Sequence, residues 1–145
     1  MKAEEDRFIP PNLHALKINT DIHLDGLLTE AYWQAAPVAS NFRQIQPLEG
    51  QPATEKTEVR ILYNENFLYV GVLCFDSEPD KIVAQKLQRD SGLEDDDMFA
   101  IVLDTYHDRR NAYMFATTPN GVEEDGQVVD GAFFTNLDWD GVWEV

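Results

Sequence analysis

The stretch Phe67-Leu68-Tyr69-Val70-Gly71-Val72-Leu73-Cys74-Phe75 is apolar at nearly every position. A bounded run of this length, rich in β-branched and aromatic residues, predicts a strand covered on both faces or central in a sandwich. Residues 59–63 have the same character, and Asn64-Glu65-Asn66 between the two runs predicts a hairpin. Met98-Phe99-Ala100-Ile101-Val102-Leu103 repeats the pattern. There, residues 98–106 and 112–118 flank His107-Asp108-Arg109-Arg110-Asn111 and predict a second hairpin. Two strands this apolar call for two packed layers.

Outward from these hairpins the punctuation is mostly of one kind. Asp or Asn precedes Gly at Asp25-Gly26, Asn120-Gly121, Asp125-Gly126, Asp130-Gly131 and Asp140-Gly141, and such pairs supply the positive φ of tight turns. Residues 18–24 predict an early strand, and 127–129, 132–134 and 142–145 predict shorter late ones. Helix is scarce. Residues 29–36 predict about two turns, capped by Thr29 and stopped at Pro37, and Pro79 opens a turn followed by a strand over 82–87. The expected fold is all-β, a mostly antiparallel β-sandwich of immunoglobulin-like or jelly-roll type with one short helix. Residues 1–13 read as a lead-in and 14–145 as the domain. The apolar run ending at Val145 reads as a strand cut short, so the domain is expected to continue beyond it. An open edge there would be closed by the protein's own C-terminal region or by a second copy of the chain.

The 145 residues hold 27 acids and 11 bases, a net charge of −16. The excess is uneven, with 14 acids against 2 bases from residue 90 onward. Nucleic acid needs a basic footprint that this chain lacks, and an anionic membrane surface would repel it. No run of 18 apolar residues exists, so no direct membrane insertion is expected, and the first residues do not form a signal peptide. The single Cys74 lies in the apolar run and is expected to pack as a small hydrophobe.

Nucleophile-elbow, zinc-protease, phosphate-loop and EF-hand patterns are absent, and His14, His23 and His107 have no metal-ligand spacing. Carboxylates are the dense chemical resource. Glu94-Asp95-Asp96-Asp97 precedes the second apolar strand, Glu123-Glu124-Asp125 follows the second hairpin, and Asp76, Asp80 and Asp90 stand at predicted strand ends. Calcium takes six to eight oxygen ligands and suits such loops, with Asp76, Asp95, Asp96 and Asp97 as candidate ligands. The alternative is a solvated acidic loop. A glycosidase would need two carboxylates about 5–9.5 Å apart across a groove, and nothing in the spacing sets that, so no enzyme is expected. Trp33 and Trp143 read as core. Trp139, in the turn Asp138-Trp139-Asp140-Gly141, is the tryptophan placed to meet a sugar face, and Arg89 and Asp90 join it as candidate ligand-binding residues.

The segment Ile22-His23-Leu24-Asp25-Gly26-Leu27-Leu28-Thr29-Glu30-Ala31-Tyr32-Trp33 resembles the opening signature of carbohydrate-binding module family 9. The resemblance continues in order through Phe67-Leu68-Tyr69-Val70-Gly71-Val72, then Asp76 with Pro79, and Arg89-Asp90-Ser91. It runs on through Asp95-Asp96-Asp97 into the strand to Asp104, and then 113–115 with Pro119-Asn120-Gly121, so that it covers about residues 14–145. Arg89-Asp90-Ser91 with Asp104-Thr105-Tyr106-His107-Asp108-Arg109-Arg110 is similar to a branch found as the N-terminal module of long bacterial envelope proteins. That resemblance implies a β-sandwich, export to the periplasm or outer membrane, a carbohydrate partner and, in some members, structural calcium. The positions of the family's sugar-contacting Trp, Glu, Arg and Asn hold Glu94, Ala100, Ala116 and Thr118 here, none of which matches, so sugar would be met elsewhere on the domain. Related sandwiches hold haem through Met and His. Met98 and Met114 read as core strand positions instead, and no haem, nucleotide or zinc is expected.

Overall fold

The computed structural model describes residues 12–131 and 134–145, so the predicted lead-in lies almost entirely outside the described residues. The chain is all-β, with two antiparallel-rich sheets and one short helix, as the apolar runs and turn residues predict. It divides into two compact units, Met1–Ser77 and Glu78–Val145.

The first unit holds β1 (Leu16–Lys17), α1 (Ala31–Ala35), β2 (Thr57–Tyr63) and β3 (Leu68–Cys74), with sheet order β1-β2-β3. β2 and β3 pair antiparallel in the register Val59↔Val72 and Tyr63↔Leu68. Their turn closes on Asn64, whose Oδ1 accepts the amides of Asn66 and Phe67 at 2.8 Å. A side chain that mimics a backbone turn in this way is the reason Asn marks hairpins. The early strand expected over 18–24 is absent, and the pairing falls just ahead of it. Only Leu16 and Lys17 pair, parallel to Leu62 and Tyr63. Further on, the Asn64 side chain takes the place of a strand, donating to Thr20 O and to Asp21 Oδ1.

Ile18, Ile22, Trp33, Ala36, Leu62 and Tyr69 form the core, with Leu16 and Leu28 packed against it. Trp33 is buried as expected, and the packing explains Gly71. A Cβ there would stand 2.7 Å from the Trp33 ring and 2.9 Å from Leu28, so the indole seats only on a bare strand backbone. The helix is shorter than predicted and starts at Ala31, with no side-chain cap at Glu30, so Thr29 does not cap it. β3 is covered best at Tyr69 and Gly71, while Leu68, Leu73 and Cys74 are exposed. Cys74 is therefore not buried, because coverage fades toward the end of the strand.

The second unit opens with a 3₁₀ turn at Pro79–Lys81 and continues with β4 (Phe99–Leu103), β5 (Ala112–Thr117), β6 (Glu123–Val129) and β7 (Phe134–Asn136), paired in that order. The expected strand over 82–87 is absent, and 142–145 is also not a strand. The β4–β5 connection is built from its own acids. Asp104 accepts the amides of Asp108 and Arg109, and Asp108 accepts those of Arg110 and Asn111 as well as the Asn111 side chain. These bonds, those from Asn111 foremost, hold the Asp108 carboxyl below the ordinary aspartate range. Gly121 takes φ 73° in the β5–β6 turn, and Asp130 and Gly131 take 57° and 81° after β6.

Two of the expected Asp-Gly turns differ: Gly141 does not take a positive φ and 139–141 is irregular, and the other is not a turn at all. Asp125-Gly126 lies inside β6, with Phe115 opposite Asp125 and Met114 opposite Gly126. The Glu123-Glu124-Asp125 run is thus strand rather than acidic loop. A Cβ on Gly126 would come within 2.8 Å of Thr135 and 3.1 Å of the Asn136 carbonyl, so this glycine serves close approach. Met98 is also not core, being exposed just ahead of β4.

Candidate functional site

The segment before β4 lies against the end of β6. The Asp90 amide donates to the Glu123 carbonyl at 3.1 Å, and Asp90 Oδ1 accepts the Asp125 amide at 3.3 Å. Asp90 takes a left-handed φ of 55° there, a conformation that Asp tolerates better than most residues. Because side chains alternate along a strand, Glu123 and Asp125 project to one face and Glu124 to the other.

Glu124 is buried, 7% exposed, and its Oε2 accepts the Gly92 amide at 2.9 Å. Burial is the main force pushing its carboxyl above the ordinary glutamate range. The Gly92 bond opposes that rise, while the charges of Glu94 and Asp90 add to it.

On the other face Asp125 is fully buried. Arg89 Nη2 donates to its Oδ1 at 2.7 Å, and the Gly141 amide donates to its Oδ2. Arg89 Nη1 also reaches Glu123 at 3.0 Å, its Nε lies 3.4 Å from Asp90, and Nη2 lies 3.8 Å from Asp140. Four carboxylates thus surround one guanidinium, whose planar fork of donors suits such a set. The Asp125 bond is the chief cause that raises the guanidinium's proton affinity further. Asp90, Asp125 and Asp140 each bring an oxygen within 4.8 Å of the others. A groove of about 280 Å³ runs beside Arg89, lined also by Leu87, Asn120, Gly121, Val122 and Glu123.

The Gly141 bond fixes the turn that carries Trp139. The half-buried indole lies 4.6 Å from the Tyr113 ring and 5.9 Å from Phe115, while Trp143 meets Phe115 edge-on at 5.3 Å. Gly141 has no room for a side chain, since a Cβ would stand 2.9 Å from the Trp139 ring and 3.0 Å from both Asp125 and Phe115.

The structure therefore brings Arg89, Asp90 and the Trp139 turn together around Asp125. Among the described residues of the second unit, Asp95, Asp96 and Asp97 do not join a cluster of candidate metal ligands. Asp96 is buried and accepts the amides of Gln85 and Lys86, Asp97 accepts that of Val83, Asp95 is exposed, and Asp76 belongs to the first unit. Asp96 and Asp97 pin the 83–86 segment, which explains two of the four adjacent acids without an ion. Among the described residues no histidine joins a cluster of candidate metal ligands. In the sequence Asp125 and Asp140 stand only as members of an acidic run and of Asp-Gly pairs, not as candidate ligands. One signal points toward them: Arg89 is the lone Lys or Arg between Lys86 and Arg109, and a lone cation among so many acids gathers carboxylates. Comparison with protein-family models, with curated proteins and with solved structures finds no match to this chain.

Proposed function

We propose that this chain is a non-catalytic, carbohydrate-binding-like module of an exported bacterial protein. The observation that carries the reading is the half-exposed Trp139–Tyr113 pair, held beside the Arg89–Asp125 cluster by the Gly141 amide. Aromatic rings offer a flat face for the C–H side of a sugar ring, and adjacent carboxylates accept its hydroxyls. The carboxylates are engaged by the Arg89 guanidinium, which supports binding without hydrolysis. Net negative charge favours neutral sugars over uronates or sulfated ones. Export rests on the sequence resemblance.

Titration with neutral oligosaccharides, followed at the Trp139 indole resonance, tests the proposal. Saturable shifts centred on Trp139, weakened about tenfold or more by Trp139→Ala, are the expected result. Exposed apolar residues at the start and middle of the β4 region, Met98 and Val102 (58% exposed), favour a second reading as a domain that docks on a further part of a longer protein. Indole resonances that do not move at millimolar sugar would favour that second reading over the first.

A further inference from the structure

We infer that Arg89 is the built-in counter-ion of the second unit: its guanidinium takes the place that a divalent cation would take among Asp90, Asp125 and Asp140, and through Asp125 it positions the turn that bears Trp139. Three carboxylate oxygens within 4.8 Å of one another match the span of ligands around a hard cation bound at about 2.3–2.6 Å. Yet the cluster already contains a cation. Arg89 is hydrogen-bonded to the deepest carboxylate at 2.7 Å, and a fourth acid, Glu123, lies 3.0 Å from its other terminal nitrogen. A fully buried carboxylate needs a counter-charge close by, and Asp125 has this one. A metal ion entering the same space would face the repulsion of the guanidinium and would have to expel it.

The second part follows from the other oxygen of Asp125. It holds the Gly141 amide, and Gly141 fits only because it lacks a Cβ beside Trp139, Phe115 and Asp125 itself. Arg89 thus acts on the indole through Asp125 and Gly141, as a positioning residue. This part rests on the sugar-shelf reading for its purpose. The counter-ion part does not, and it stands or falls separately.

The test compares the whole chain with Arg89→Gln by thermal unfolding in chelator and in calcium chloride at matched ionic strength. The wild-type midpoint is expected to be the same in both. Arg89→Gln is expected to unfold earlier in chelator and to regain roughly 10 °C at a hundredfold excess of calcium over its dissociation constant. Its Trp139 indole resonance should leave the native position in chelator and return with calcium. A calcium-specific rise in the wild type would overturn the counter-ion assignment, as would an Arg89→Gln chain indifferent to calcium. A Trp139 resonance unchanged in folded Arg89→Gln would overturn the positioning role. If Arg89→Gln does not fold in chelator, refolding in calcium supports the assignment. Arg89→Lys, which keeps the charge, is then expected to fold and ignore calcium, and a calcium response in that variant would count against it. Sugar binding is not read in any of these arms, so their failure is separable from failure of the proposed function.

Discussion

In the first unit the core cluster is Ile18, Ile22, Trp33, Ala36, Leu62 and Tyr69, continuous and apolar. In the second unit the cluster is small, Leu93 with Ala116 and Val122, and beside these sit three buried acids, Asp96, Glu124 and Asp125. The two solutions differ in kind. Apolar burial is non-directional and asks only for volume and shape. Buried carboxylates ask for particular donors, and the second unit supplies them from backbone amides and one guanidinium at Asp96 Oδ2, Glu124 Oε2 and both oxygens of Asp125, leaving Asp96 Oδ1 without a partner. The first unit should therefore respond to lost volume and the second to lost partners.

The largest expected effect is Leu62→Ala. Leu62 is fully buried, and removing it should cost about 3 kcal/mol from the transfer and cavity terms, read as a lower midpoint in denaturant. An effect below about 1 kcal/mol would break the comparison, since the first unit would then not depend on its apolar cluster. Next comes Asp125→Ala, at about 2 kcal/mol. The Gly141 amide loses its acceptor, while the Arg89 side chain, 39% exposed, can turn to water. Asp125→Asn sharpens this by keeping an acceptor while removing the charge. The cost of Asp125→Asn against the wild type reads mainly the lost charge beside Arg89, and the further cost of Asp125→Ala reads the lost acceptor of the Gly141 amide.

The smallest effect has the opposite sign. The Glu124 carboxyl is raised above the ordinary range by burial, so the folded chain binds that proton more readily than the unfolded one. Glu124 therefore subtracts stability at neutral pH, and the loss is relieved as pH falls through the folded value toward the ordinary one. Glu124→Gln should raise the midpoint at pH 7 by about 1–2 °C and flatten its rise on mild acidification. A steeper rise in the variant would show the opposite linkage.

The hairpins were legible because their signals are local. The apolar runs set β2–β3 and β4–β5, and Asn64 closes the first turn with its own side chain. Asp125-Gly126 was misread because the same dipeptide that permits a turn also permits a crowded strand. What decides between them is Thr135 and Asn136 on the next strand and Arg89 far back in the chain. The site was half legible for the same reason: Arg89, Asp90 and Trp139 stood out as residue types, but their convergence on Asp125 depends on partners distant in sequence. Thr29 and Cys74 depart from expectation, the cap because the capping position falls one residue later, at Glu30, and the thiol because coverage of β3 fades at its end.

The two-residue β1 has a kinetic consequence. Leu16 meets Leu62 by closing a long loop, whereas Tyr63 meets Leu68 across a short turn. Loop closure grows costlier with length, and hairpins form within about 1–10 μs, so the β2–β3, β4–β5 and β5–β6 hairpins are the pieces able to assemble early. With two pairings to reward its long closure, β1 is the last strand of its sheet to seat and the first to fray. The lower edge of the first unit's stability therefore lies where Ile18 enters the core.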